Sequence, residues 1–169
     1  KLLICFGAVP GSGKTSIAKI LEDRYKGIRV NTEEIAKIIK IVCKKESKYN
    51  ESHILEDYLY YFGQKHSYPN GLIILDASID RRYKRIMMVA EEQEFDLFII
   101  NIKVPKKTII ERIKKRNKEN AYGYFKEMNK WEKEHKIFEE NVEPDIALLN
   151  EDNLDLTLLF SKLDRILHK

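Results

Sequence analysis

Short apolar runs alternate along this chain with stretches whose apolar residues recur every three or four positions. Leu2-Leu3-Ile4-Cys5-Phe6 is apolar without a break, the pattern of a strand covered on both faces. Residues 14–25 carry Ile17, Ile20 and Leu21 at helical spacing, and residues 28–31 read as a short second strand. Thr32 then stands as an N-cap, with Glu33 and Glu34 in the first turn and Ile35, Ile38, Ile39 and Val42 on one helix face. Residues 52–65 form another amphipathic helix through Ile54, Leu55, Tyr58, Leu59 and Phe62. Pro69-Asn70-Gly71 reads as a turn, and Leu72-Ile73-Ile74-Leu75 as a buried strand ending at Asp76. Residues 80–93 read as helix and 95–102 as strand, and Pro105 opens the next helix. The segment 106–141 is charge-dense and mostly helical, 145–150 is the last strand, and 155–167 a closing helix. This alternation predicts an α/β fold: a doubly wound, five-stranded parallel sheet flanked by helices, with its ligand at the carboxyl ends of the strands.

The first strand runs into Ala8-Val9-Pro10-Gly11-Ser12-Gly13-Lys14-Thr15, followed by a helical pattern. Strand, glycine-rich turn and helix start are the context of a phosphate-binding P-loop. Backbone N–H groups converge there and the helix N-terminus adds partial positive charge. Pro10, Gly11, Ser12, Gly13, Lys14, Thr15 and Ser16 are therefore the expected nucleotide cradle. In it Lys14 reaches the β- and γ-phosphates, and the Thr15 hydroxyl is a ligand for Mg²⁺. The first glycine of the motif is replaced by Ala8, a small residue with Gly7 just ahead of it.

Asp76, after four apolar residues, has the form of a Walker B carboxylate that serves Mg²⁺ directly or through water. Many strands end in Asp at a turn, so its weight comes from the neighbouring P-loop. Glu33 is a candidate to orient an acceptor hydroxyl and take its proton. Acidic residues at a helix N-terminus also satisfy the dipole, an equal reading for Glu33 and the preferred one for Glu34. Arg112 and Arg116 lie four apart on one helix face and are suited to bind phosphoryl oxygens. Tyr58, Tyr60, Tyr61, Tyr122, Tyr124 and Phe125 can stack on bases, but at helical spacing they read first as core. Trp131 reads as packing, and His53, His66, His135 and His168 are scattered without a metal or triad pattern.

The 169 residues suit one domain, 1–169, with a sizeable core. Charged residues are 34% and no apolar run reaches the length of a membrane span. The first ten residues read as strand and loop rather than an export signal. Cys5 and Cys43 lack metal-like spacing and read as reduced thiols of a cytoplasmic protein. A net charge of +4 is compatible with a phosphorylated or nucleic-acid partner, and equally with a lysine-rich surface.

The order of these motifs resembles the small P-loop kinases of the polynucleotide-kinase and zeta-toxin type, relatives of the adenylate-kinase-like group. Ile74-Leu75-Asp76-Ala77-Ser78 is similar to their strand–Asp–Ala–Thr–Asn segment. Arg81, Arg82 and Arg85 fall where that family carries arginines on the following helix. Ile102-Lys103-Val104-Pro105 with Arg112 and Arg116 resembles its lid-arginine segment, and Pro144-Asp145 also fits. The resemblance implies a nucleoside-kinase-like P-loop NTPase fold and ATP–Mg²⁺-dependent transfer of the γ-phosphoryl group to a hydroxyl. Lys14 would then bind phosphates, Thr15 and Asp76 would serve Mg²⁺, and Arg116 would be the lid arginine. Residues 106–141 would close over ATP and exclude water. Glu33 stands where the family has Asp, and Ala36 where it often has Arg.

The expected acceptor is a hydroxyl of a nucleotide, a nucleic-acid 5′ end or a small metabolite. A nucleoside monophosphate is an alternative, with Arg81, Arg82 and Arg85 on its phosphate. Two readings outside this class remain: a nucleotide-binding switch with an incomplete acceptor site, and an RNA-binding accessory protein using the basic arm 103–118.

Overall fold

A computed structural model describes residues 1–42, 51–64, 69–116, 121–151 and 154–167. The elements in chain order are β1 (Leu2–Gly7), α1 (Lys14–Tyr25), β2 (Ile28–Val30), α2 (Thr32–Val42), α3 (Glu51–Gly63), β3 (Leu72–Ser78), α4 (Tyr83–Glu92), β4 (Asp96–Lys103), α5 (Lys106–Arg116), α6 (Ala121–Asn141), β5 (Ile146–Leu149) and α7 (Thr157–Leu167). The strands form one five-stranded sheet in the order β2-β3-β1-β4-β5, and every pairing is parallel. The expected doubly wound sheet is therefore present. Cys43, His66 and His168 lie outside the described residues.

Parallel strands joined by helices must bury both faces, and the alternation of side chains assigns each face its cover. Leu2, Ile4, Phe6, Leu72, Ile74, Phe98 and Ile100 pack with Ile17, Leu21, Leu159 and Leu163 of α1 and α7. Leu3, Cys5, Ile73, Leu75 and Ile99 pack with Leu55, Leu59, Ile86, Val89 and Phe138 of α3, α4 and α6. Full burial raises the Cys5 thiol pKa well beyond its ordinary range. A third, smaller cluster joins Ile109 and Ile113 of α5 to Met128 of α6, with Val9, Tyr124 and Phe125 against it.

Element ends differ from the sequence reading where a side chain takes over the backbone. Asn31, not Thr32, caps α2: its Oδ1 accepts the Glu34 N–H at 3.0 Å. β3 runs two residues past Asp76, to Ser78. The next helix starts at Tyr83 rather than at 80, because a turn from Arg82 N–H to the Ile79 carbonyl (2.8 Å) precedes it. Asp80 is drawn into the interior instead, with an oxygen accepting the Ala8 N–H at 3.0 Å.

Candidate active site

The turn between β1 and α1 adopts left-handed backbone at Gly11 (φ 83°) and Gly13 (φ 95°), a region that L side chains rarely enter. A Cβ on Gly13 would also stand 2.3 Å from the Asn150 side-chain amide. No side chain caps the first turn of α1, so its leading N–H groups have no side-chain acceptor. That is the arrangement an anion occupies. Two buried polar atoms here have no partner among the described residues, the Ser12 hydroxyl and Arg112 Nη1. Lys14, the first residue of α1, is half-buried, and Ser16, two residues on, is exposed.

The carboxyl end of the sheet brings Asp76 to this turn, because β3 lies next to β1. The Asp76 side chain is only 1% exposed. Its Oδ1 accepts from the Thr15 hydroxyl at 3.0 Å. Its Oδ2 accepts from Arg29 Nη1 and from the Asn31 amide, both at 2.7 Å. Val30 pairs opposite Leu75, so β2 delivers Asn31 to Asp76 by register alone. Arg29 Nε also donates to Glu22 at 2.9 Å, and its Nη2 lies 3.6 Å from Glu34. Burial works against the Arg29 charge, but the hydrogen bonds to Glu22 and Asp76 outweigh it and hold its pKa above the ordinary value.

A second polar chain lies behind the turn. Asp80 accepts the Ala8 N–H with one oxygen and faces His135 Nδ1 at 2.9 Å with the other. His135 stacks on Phe138 and lies 3.7 Å from Glu139, which accepts from Asn101 and pairs with Lys103. Burial would raise the Glu139 pKa, but the bonds from Asn101 and Lys103 outweigh it and lower the value.

Arg112 on α5 reaches the opposite wall. Its Nη2 donates to the Asn150 carbonyl at 3.1 Å, and the Asn150 amide donates to the Ser12 carbonyl at 2.6 Å. Ile109 and Ile113 of α5 stand against Gly11, so this helix packs on the tip of the turn. The Arg116 side chain lies outside the described residues, as does that of Ala36.

Thr15, Asp76, the glycine turn and Arg112 thus lie together at the carboxyl end of the sheet. Glu33 is exposed in the first turn of α2, while Glu34 leans toward Arg29. Arg82 is half-buried just ahead of α4. Arg81 pairs with Glu134 and Arg85 with Glu56, so a glutamate answers each. Trp131 meets Tyr124 edge-on and Tyr58 joins the core cluster, as packing predicts, whereas Tyr122 is 83% exposed.

Sequence reasoning passed over Arg29, Asn31, Asp80, His135 and Asn150. A charged residue inside a three-residue strand was the signal for Arg29. The position of Asn31 and Asn150 at strand carboxyl ends was the signal for those two. For Asp80 and His135 no signal existed, since 55 residues separate them.

The residues fit a metal-bound nucleotide. Thr15 and Asp76 offer adjoining oxygens, the helix start has no side-chain cap, and the buried, unpartnered Arg112 Nη1 lies by the glycine turn, 4.0 Å from a Cβ built on Gly13. Among the described residues no group of three His, Cys, Asp or Glu side chains is placed to hold a metal by itself. A metal here would share its shell with phosphate and water, as Mg²⁺ does in phosphoryl-transfer sites.

A family model described as an AAA domain matches residues 2–141. Among solved structures, the chain is similar to a shikimate kinase from Aquifex aeolicus (TM-score 0.60, 14% identity, 99% of this chain and 100% of that one). It is also similar to the Mycobacterium tuberculosis APS kinase solved with AMPPNP and APS (TM-score 0.56, 12% identity, 99% and 98% covered). A gluconokinase from Sinorhizobium meliloti is a third such structure (TM-score 0.55, 13% identity, 99% and 93% covered). At these identities the likeness is one of fold. No curated protein matches the chain by sequence. No described helix is long and apolar enough to cross a membrane.

Proposed function

The chain belongs to the AAA domain family, and on that premise we propose that it is an ATP–Mg²⁺-dependent phosphotransferase that phosphorylates a hydroxyl of a small acceptor. The observation that carries this reading is the Thr15–Asp76 contact of 3.0 Å at the uncapped start of α1. It supplies an anion cradle and a metal-facing oxygen pair in one place. The order of motifs along the chain favours the polynucleotide-kinase and zeta-toxin group among P-loop kinases. Three structures of the same fold are named as kinases of small acceptors, which supports a metabolite over a nucleic-acid end.

In this reading the turn from Pro10 to Ser16 holds the phosphates through backbone N–H groups, and Lys14 reaches the β- and γ-oxygens. Bound Mg²⁺ neutralises charge on those oxygens. Thr15 and Asp76 orient its shell. Glu33 accepts the proton of the acceptor hydroxyl as that oxygen bonds to the γ-phosphorus and the bond to ADP breaks. Arg112 and Arg116 bind equatorial oxygens, and Arg82 faces the acceptor. Residues 106–141 form a lid within a single domain, resting through Ile109 and Ile113 on Gly11. The whole would work in the cytoplasm.

A nucleoside monophosphate is a poorer acceptor in this reading, because two of the three arginines offered to its phosphate are held by glutamates, Arg81 by Glu134 and Arg85 by Glu56. RNA binding through residues 103–118 is disfavoured in the same way, with Lys103 paired to Glu139 and Lys106 to Glu132. The switch reading draws on Ala8, Glu33 and Ala36, the departures from the kinase pattern.

The test is ATP consumption by the purified protein with Mg²⁺ against polyols, sugar acids, nucleosides, monophosphates and 5′-hydroxyl oligonucleotides, with Lys14→Ala as the blank. Lys14-dependent phosphorylation of a small alcohol is expected. Nucleotide binding without transfer to any acceptor would favour the switch.

A further inference from the structure

We infer that Arg29 is a positioning residue for the metal-side carboxylate: its guanidinium pins one oxygen of Asp76 and leaves the other to Thr15 and the metal. The inference rests on the proposed nucleotide site and adds a component that the phosphate-loop motif does not contain.

Arg29 is the middle residue of β2 and its side chain is 12% exposed. A guanidinium in that setting loses hydration and needs fixed partners. Among the described residues it has three, on three elements. Nε donates to Glu22 of α1, Nη1 to Asp76 of β3, and Nη2 faces Glu34 of α2. A single ion pair would leave the carboxylate free to rotate. A planar fork held at both edges does not, because turning it to follow Asp76 would cost the bond to Glu22.

The consequence falls on Asp76. Oδ2 accepts two donors at 2.7 Å, from Arg29 and Asn31, while Oδ1 accepts from the Thr15 hydroxyl at 3.0 Å. Asp76 therefore presents one oxygen toward the nucleotide, on the side of Thr15. That oxygen is the one Asp76 would offer to a metal or its water, since Oδ2 is engaged by Arg29 and Asn31. Partners that orient a metal-serving group in this way tune metal affinity as the ligand itself does. Arg29 also ties the start of α2, which carries Glu33 and Glu34, to the metal side of the site.

The decisive measurement is binding of a fluorescent ADP analogue as a function of Mg²⁺, in the wild type and in Arg29→Lys. Lysine keeps the charge and loses the fork. The expected result is a rise of about tenfold in the Mg²⁺ concentration needed for half of the metal-dependent binding. Binding without Mg²⁺ changes less than about twofold, since the phosphate cradle is untouched. A merely structural Arg29 would lower the melting temperature and leave this metal dependence alone. Should Arg29→Lys fail to fold, Asn31→Ala removes the other donor to the same oxygen and is expected to raise the Mg²⁺ requirement about threefold. A wild type with metal-dependent binding and variants with the same dependence overturns the role of Arg29 alone. A wild type that binds no nucleotide overturns the site reading beneath it.

Discussion

The ring of Phe138 fills the space that a side chain at Gly7 would need: a Cβ there would stand 2.1 Å from Phe138 Cε1. Phe138 is fully buried and stacks on His135, so it has no room to withdraw. Gly7→Ala is expected to destabilise the protein by about 1–3 kcal/mol through overpacking. A urea midpoint equal to that of the wild type would contradict this contact.

Lys14→Ala should leave the fold in place and remove phosphoryl transfer, with a loss of at least about a hundredfold, as for other charge-stabilising donors. Circular dichroism checks the first half and product formation the second. Full activity in the folded variant would end the cradle assignment.

Glu33→Gln is expected to lower turnover by about 10²–10⁴, the range for losing a general base, with nucleotide affinity unchanged. Glu34→Gln is expected to act mainly through Arg29, which its carboxylate faces at 3.6 Å. Steady-state kinetics of the two variants side by side separates the roles. Equal turnover in Glu33→Gln and wild type removes Glu33 from the mechanism.

His135→Ala takes the partner from one oxygen of Asp80, a carboxylate only 7% exposed. The expected cost is about 1–3 kcal/mol, the range for leaving a buried polar group unsatisfied. In a double-mutant cycle the pair His135→Ala and Asp80→Ala should cost less than the two single changes together. Strict additivity would mean that the two side chains do not communicate.

Glu139 ties its helix to β4 through Asn101 and Lys103, and these bonds lower its pKa. A group with a lowered folded pKa contributes stability that is complete above its unfolded pKa, about 4.3 for glutamate. That stability is lost as pH falls through the folded value. Melting temperatures measured from about pH 6 to pH 3 should therefore fall less steeply in Glu139→Gln than in the wild type. Parallel curves would assign the acid sensitivity elsewhere.

The sheet and the phosphate turn were legible because their signals are local. The apolar run from Leu2 to Phe6 declares a strand buried on both faces, and Gly11, Gly13, Lys14 and Thr15 follow at fixed spacing. Asp76 stood out as an acid after four apolar residues, although its strand runs on to Ser78. The rest depends on register and distance. Asn31 reaches Asp76 because Val30 pairs with Leu75, a fact of sheet order that one strand does not reveal. Arg29 in isolation looks like an interruption of a short strand, and it becomes intelligible only with Glu22, Glu34 and Asp76 around it. Arg85 is the reverse case: the resemblance offered it to a ligand, and the structure pairs it with Glu56.

The bond from the Asn150 amide to the Ser12 carbonyl joins residues 138 positions apart. The loop encoded near the start of the chain is thus braced by a side chain made long after it. A ribosome that has released only the first half of this protein has produced the glycine turn without its brace. Nucleotide binding should accordingly appear late during synthesis, once β5 has paired with β4 and carried Asn150 into place.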